Sequence, residues 1–501
     1  MTALELSRRL RQLAGRRSPR VALVTDADVR TGVGGTLVRS GLAYLDRNQV
    51  PDDMWGLLPP FAPSSDLYAR FLHLSGARAI AVDRQRADRA FRLALRRSRI
   101  TLLPEAQLAG TARQGRRLCV LQSRRYGSLG ADVFIDASIG ADLAHQAGVA
   151  FLPGLGPRDL SHESIALGWI FEVRGLSLHR LQALEERLTH RLMNPRDQQA
   201  RAWLTAWQAR QSAGVSPTRL LLDEGGHPRL AYASTSDSAD QRSPALAIAF
   251  HGEEHIPPGL WHSEALLDRA NIAVLPDRLS FNALLFRNTA EQNRRVLAGG
   301  SRPLPVMRPV AAAISRFLLR HGARQVIWMP ELYVRSADQI AHPEEVLSAD
   351  RMARGGVPRP EALGTFTYNL DLRGALARVT PRARPTFNFG YRHTLPRELD
   401  NLAVLGPASG YGGLGEGAGR IIELNISVGE GLAIASALAL RQGTSLAAVD
   451  PRTVAALIPS DTLPYGRPSG STLLLLLLRR LVYVLVSWLP QPLADPLWNA
   501  L

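Results

Sequence analysis

Three times along the chain an apolar run ends in a glycine-bearing turn and continues into a helix-forming segment: "VALVTDADVRTGVGGTLVRSG" (residues 21–41), "ADVFIDASIGADLA" (131–144) and "NISVGEGLAIASALA" (425–439). A strand that passes through a glycine turn into a helix is half of a βαβ unit. Parallel strands need such a crossover, and the helices then cover both faces of the sheet. The pattern therefore predicts an α/β layer fold. It also predicts a ligand class, because backbone amides in a glycine turn can approach an anion while the helix N-terminus favours negative charge.

The segments between these turns complete the alternation. "ARAIAVD" (77–83) reads as a strand, "RADRAFRLALRRS" (86–98) as a helix and "ITLLPEA" (100–106) as a further strand. "RRLCVLQSRRYGSLGADVFIDASIG" (116–140) reads as a hairpin returning into a parallel strand. From residue 151 the pattern loosens: "SLHRLQALEERLTHRLM" (177–193) is helical, whereas "PALAIAFHGEE" (244–254), "ANIAVLPDRLSFNALLF" (270–286) and "ARQVIWMPELYVRS" (323–336) read as strands of a second layer. A length of 501 residues accommodates two or three domains. The expected division is a discontinuous first domain, 1–150 with 385–458, a second domain at 151–384, and a tail from 459 to 501.

Charge narrows the chemistry. All 60 basic residues are arginine and none is lysine, which excludes Schiff-base catalysis by this chain; against 44 acids they give a formal charge of +16. The arginines are scattered or lie on helix faces such as "RRLRQLAGRR". With no nucleic-acid module in the sequence, that charge carries no prediction of nucleic-acid binding. The single cysteine, Cys119, reads as a structural thiol. "HGEEH" (251–255) lacks the H-E-x-x-H order of zinc proteases and runs at once into "IPP", so it reads as a loop and no metal is expected. The tail "STLLLLLLRRLVYVLVSWLPQPL" carries Arg479 and Arg480 at its centre, at about 2.5–3.5 kcal/mol each in a membrane core. That disfavours a spanning helix and leaves either a helix lying in a membrane interface over residues 471–489, with Tyr483 and Trp488 suited to it, or one docked on the protein's own core.

Taken in order, the motifs resemble those of FAD-dependent oxidoreductases with a glutathione-reductase-like flavin domain, in the branch that carries an "IDATGDGDLA" motif. The matching pieces include "VALVTDADVRTGVGGTLVRSGLAYLD", "ADVFIDASIGADLAHQAG", "LPDRLSFNALLFRN", "MPELYVRSADQI", "TYNLDLRG" and "DNLAVLGPASGY" with the helix after it. The resemblance implies a Rossmann-like FAD-binding domain with an inserted α+β substrate domain. It implies FAD as cofactor and a hydride or electron pair passing from a small organic substrate to flavin, then to a separate electron acceptor. Asp26 falls at the adenosine ribose, and Gly34 and Gly35 form the double glycine near the flavin, with Ser40 and Gly41 behind. Asp136, Gly140 and Asp142 fall in the "IDATGDGD" region, and Gly429 and Gly431 at the start of the last helix. Arg335 in "YVRS", with Tyr391 and His393 in "GYRHTLP", are the candidate catalytic residues: a guanidinium can clamp a carboxylate, and an imidazole can exchange a proton near neutral pH.

Two departures from the family pattern stand out. Ile139 replaces a glycine of the motif, so the turn must differ locally, since a β-branched residue adopts positive φ only at a cost. The family's first strand and G-x-G-x-x-G loop have no counterpart ahead of "TALELSRRL", which implies an N-terminally truncated flavin domain. One explanation is a start further upstream; the other is a flavin-domain relic acting as a non-catalytic or membrane-associated scaffold. The expected location is cytoplasmic, with the tail on a membrane surface as the peripheral variant.

Overall fold

The computed structural model describes residues 1–13, 20–45, 65–77, 81–156, 160–209, 216–230, 244–258, 265–375 and 384–458, together with Leu474, Leu478, Leu481 and Leu485. Its centre is the helix Ile422–Gln442, which is apolar around its whole circumference and buried from Leu424 to Ala439 save for Asn425 and Ile426. Such a helix needs a cover on every side. It is the one helix among the described residues long and apolar enough to cross a membrane, and its burial within the protein accounts for that composition.

The cover comes from both ends of the sequence. Helix Thr2–Leu13 packs along it, helix Asp66–Ser75 lies beside it, and Pro451–Ala456 returns against its far end. Gly429 and Gly431 lie in the middle of this helix rather than at its start, which corrects their expected placement. A Cβ on Gly429 would stand 2.2 Å from Thr2 Oγ1 and 3.3 Å from Leu405, and one on Gly431 would stand 2.3 Å from Leu363. Glycine inside a helix costs roughly 1 kcal/mol against alanine. Here that cost is offset by letting the neighbouring segments approach the helix axis.

Two parallel strand pairs flank this helical core. Ala22–Val24 pairs with Thr101–Leu103, and Phe134–Asp136 pairs with Leu402–Val404; the two pairs are separate sheets, with no ladder between them. Their C-terminal ends converge, since the Asp26 carboxylate beyond the first pair acts on Asp142 beyond the second. An antiparallel meander, Leu108–Gln114, Arg117–Ser123 and Gly127–Gly130, occupies the connection between them. The core running from Leu347 to Val454 straddles the boundary expected at 385, because Gly364–Thr367 pairs with Thr386–Phe389 and both pack on the long helix.

The third layer is a four-stranded antiparallel sheet, ordered Gln325–Trp328, Leu167–Arg174, Arg278–Phe286 and Ala265–Leu275. Strands expected at 270–286 and 323–336 are present; the one expected at 244–254 is a helix, Ala245–Glu253. Its alanine-rich run follows Pro244 at the N-cap, and seven of its residues, Ala245 to His251, are buried against the sheet and neighbouring helices. A buried ion network ties this sheet to the first part of the chain: Arg278 contacts Glu172 at 3.1 Å and Asp83 at 3.1 Å, and Asp83 caps the helix Arg84–Arg97. Of the tail, Leu474, Leu478, Leu481 and Leu485 are helical and exposed, while Tyr483 and Trp488 lie outside the described residues.

Gly429→Val is expected to lower stability by about 1–3 kcal/mol by wedging helix Thr2–Leu13 away from the long helix. Urea denaturation of the variant beside the unaltered protein measures it.

Candidate cofactor and substrate site

Of the three glycine stretches the first two are turns, and the third is the interior of helix Ile422–Gln442. In the first, Gly34 and Gly35 have φ of +139° and +52°, and a Cβ on Gly35 would meet nothing within 4 Å. The loop behind it docks on the segment after strand Gln325–Trp328: Ser40 Oγ donates to Leu332 O at 2.9 Å, Arg39 pairs with Glu331 at 2.7 Å, and Gly41, at φ +71°, lies under Met329. The double-glycine loop is thus stitched to residues 329–332, directly ahead of Tyr333 and Arg335.

In the second turn Asp136 is a structural staple. Its buried carboxylate accepts from Ser138 N, Ser138 Oγ and Ala144 N at 3.0, 2.7 and 3.0 Å; burial pushes the carboxyl up, and these bonds oppose the shift. Ile139 does not take a positive φ. The left-handed position is Ala141, at φ +53°, so the strain of the altered motif sits two residues further on. Asp142 follows it; crowding by the surrounding chain, then the Asp136 charge and more weakly that of Asp26, push its carboxyl up to about 6. Asp26 stands exposed at its strand end and accepts only long bonds from Leu108 N, at 3.2 and 3.3 Å. Gly140 lies beside Asp142 and Leu297.

Arg335 lies in a cluster that the sequence did not reveal. Its guanidinium stacks 4.7 Å from the Tyr333 ring centre, and its Nη2 donates to Asn282 Oδ1 at 3.2 Å. Tyr333 Oη accepts from Arg420 Nη1 at 3.3 Å, and Arg420 Nη2 reaches Asp371 Oδ2 at 2.5 Å. Arg373 bonds Asp371 through its backbone N–H and pairs with Asp268 at 2.7 Å. Burial alone would raise the Asp371 carboxyl; the Arg420, Arg335 and Arg373 charges outweigh it and hold the group below the ordinary aspartate range. Glu416 fixes the cluster from beneath, accepting from Ala337 N at 2.9 Å and from Gln339 Nε2 at 3.3 Å, and its burial drives the carboxyl well above the usual range.

The other two catalytic candidates are placed elsewhere. Tyr391 is fully buried and its hydroxyl donates to Val449 O at 3.0 Å, which makes it a brace for the C-terminal turn, and burial raises its pKa. His393 is wholly enclosed, 4.6 Å from the Tyr411 ring, with no hydrogen-bond partner on either nitrogen. Burial, then the Arg351 charge, lower its pKa to about 3, so the ring is neutral at physiological pH and poorly suited to proton exchange. "HGEEH" is not a loop at its start: His251 closes the helix Ala245–Glu253, with Nδ1 donating to Ile256 O at 2.8 Å and Nε2 accepting from Leu267 N at 3.0 Å, whereas His255 is exposed. Among the described residues no group of histidine, cysteine, aspartate and glutamate side chains is arranged to hold a metal.

A family model described as FAD dependent oxidoreductase matches residues 13–458, a span that holds the double-glycine loop, the Asp136 turn and the Arg335 cluster alike. The chain belongs to the FAD-dependent oxidoreductases. FAD is the cofactor of that family. No curated protein matches the chain. Within this family member, Asn282, Tyr333, Asp371 and Arg420 escaped the sequence reading because each comes from a different element; the signal available was polar residues amid glycine and apolar runs, as in "YNLDLRG" and "GEGAGR".

Each of the two buried histidines contributes stability that is lost in acid. The unfolded chain protonates each near pH 6.5, whereas His251 and His393 in the native state resist to about 4 and about 3. At these two sites the unfolded state therefore binds more protons below pH 6.5, a contribution that lowers stability by up to about 1.4 kcal/mol per pH unit for each ring, while the raised carboxyls of Asp136 and Asp142 act in the opposite sense. His393→Leu is expected to hold stability at pH 7 and to reduce the loss between pH 6 and 4, as read by denaturant titration across pH.

Proposed function

We propose that the protein is an FAD-dependent oxidoreductase that takes a hydride or electron pair from a small organic substrate, with a separate acceptor reoxidising the flavin. The observation that carries this reading is the docking of the double-glycine loop, through Ser40 and Gly41, onto the segment that leads into Arg335. The reading is supported because the same docking brings the loop assigned to the flavin next to a polar cluster with the chemistry to hold a substrate.

The residues present fit the cofactor at two places. Gly35 and the buried Gly406 both have positive φ, and a Cβ on either would meet no atom within 4 Å, so each faces space rather than packed side chains. Asp26, at the end of the first parallel pair, has carboxylate lone pairs to spare for a ribose hydroxyl. Gly35, Ser40, Gly41 and Gly406 would line the flavin end and Asp26 the ribose end, with Asp142 near it. FAD held there supplies a two-electron acceptor. The protein's own contribution is to exclude water, fix the substrate beside Arg335 and Tyr333, and keep Arg420 aligned through Asp371.

In this reading the two parallel pairs are halves of a Rossmann-like FAD domain, residues 1–150 with the C-terminal portion up to 458, and the four-stranded sheet belongs to the inserted substrate domain. The scaffold alternative makes the opposite prediction for cofactor retention.

Mixing the full chain with FAD and passing it over a gel-filtration column tests the reading. Flavin absorbance is expected to travel with the protein, and Asp26→Ala is expected to weaken FAD binding about tenfold through the loss of a charged hydrogen bond. Protein that emerges colourless supports the scaffold instead. The exposed leucines Leu474, Leu478, Leu481 and Leu485 fall at spacings of four, three and four, along one helix face. They support a peripheral membrane role for the tail of a cytoplasmic enzyme. Deleting residues 471–501 is expected to abolish sedimentation with anionic lipid vesicles and to leave FAD retention unchanged.

A further inference from the structure

Arg335 is a cation enclosed by protein without a counter-ion. It is 7% exposed, its Nε has no hydrogen-bond partner, and Asn282 Oδ1 is its hydrogen-bond acceptor. No carboxylate lies within ion-pair distance of it among the described residues. Burying a guanidinium unpaired costs several kcal/mol, and the group cannot escape by losing its proton. The surroundings deepen the imbalance: Arg335, Arg373 and Arg420 face Asp371 and Asp268, three positive charges against two negative. Among the described residues this group of five side chains carries one more positive charge than negative.

The fold has been bent to create this arrangement. Strand Arg278–Phe286 carries one extra residue against Leu167–Arg174 between Phe281 and Leu284, which places a β-bulge at Asn282 and Ala283. Strand Ala265–Leu275 breaks register at the same level, between Asn271 and Leu267, and Asp268 emerges there to meet Arg373. Bulges re-aim side chains and recur beside functional sites. Gly168 clears the space from the neighbouring strand, since a Cβ there would stand 3.3 Å from Arg335 Nη2. Opposite Asn282 in the ladder sits Asn271, whose buried Oδ1 has no donor. Directly opposed residues share a face with their Cβ atoms roughly 5 Å apart. An unmet positive charge and an unmet acceptor thus stand side by side.

We infer that this cluster binds a small monocarboxylic acid with a hydroxyl or amino group next to the carboxylate, the carboxylate on Arg335 and the donor on Asn271. The inference rests on the proposed function for its role as substrate, and names the class of molecule that site accepts. One surplus charge suits a monoanion, and a planar guanidinium matches the two oxygens of a carboxylate. A phosphate dianion would overcompensate the cluster. The hydroxyl or amino group satisfies Asn271, whose buried Oδ1 otherwise stays desolvated without a donor.

The test is ligand binding to the full chain, with and without FAD, by isothermal calorimetry and thermal unfolding. The probes are lactate, alanine and mandelate, the donor-free acids propionate and phenylacetate, the uncharged amides lactamide and mandelamide, and inorganic phosphate. At least one hydroxy or amino acid is expected to bind and raise the unfolding midpoint, about tenfold more tightly than its donor-free partner. The amides and phosphate are expected not to bind. Arg335→Met is expected to abolish binding and, by removing an unpaired buried charge, to raise the midpoint of the ligand-free protein; Arg335→Lys is expected to retain weakened binding. Asn271→Leu is expected to erase the preference for the donor-bearing acid while leaving the donor-free acid bound. No binding by any carboxylate, equal binding by the amides or by phosphate, or unchanged affinity in Arg335→Met overturns the inference. FAD retention is read separately on the same samples. A protein that holds FAD and ignores carboxylates loses this inference alone; one that binds carboxylates and refuses FAD loses the proposed function alone.

Discussion

A helix with no polar face cannot sit at the edge of a protein, and the whole chain is arranged around that constraint. Ile422–Gln442 must be enclosed, so segments from both ends of the sequence converge on it, and glycines at 429 and 431 let Thr2 and Leu363 come in close. Once that helix is seated, the rest follows in order. The turn Gly413–Arg420 ahead of it is drawn against residues 337–339 through Glu416, and Arg420 is delivered to Tyr333 and Asp371. The cluster around Arg335 is therefore held from the C-terminal core as well as from its own sheet.

The four-stranded antiparallel sheet has a different logic. It has one face on an apolar core containing Trp169, Phe171, Phe281 and Trp328, and there stability comes from aromatic packing; Phe171 and Phe281 stack at 5.0 Å. Toward the helix Arg84–Arg97 the same strands carry buried charge instead. Arg278 with Glu172 and Asp83 locks the sheet to the helix Arg84–Arg97, a network in which every charge has a partner of opposite sign. The contrast with Arg335 is instructive, since the two arginines are similarly buried and differ only in whether the protein itself supplies the counter-charge.

The legible part of this protein is the part governed by local rules. Strand, glycine turn and helix are each specified within a dozen residues, so the 21–41 and 131–144 units and the 270–286 hairpin could be read from sequence, and so could the family. Helix and strand were confused at 244–254 because a short run apolar on every side has no period to distinguish them. Of the polar cluster around Arg335, the sequence singled out Arg335 alone. Tyr391 and His393 looked reactive by residue type, yet enclosure makes one a brace and the other an inert ring; burial is a property of the fold and leaves no mark on "GYRH". Asn282, Asp371 and Arg420 are joined to Arg335 across separations that no spacing rule spans.

The bulge at Asn282 and Ala283 turns the site into a matter of counting. Side chains on a strand alternate faces with a period of two, so one added residue reverses the face of everything beyond it. Asn282 and the buried Leu284–Phe286 end of the hairpin point as they do because the strand is one residue longer than its neighbour requires. A single-codon deletion there would restore the register with Leu167–Arg174, throw the ladder to Ala265–Leu275 further out of step, and set the polar and apolar faces of the strand at odds. The irregularity is thus a phase offset stored in the strand, and the arginine's companions are written in that offset as much as in the identity of any one residue.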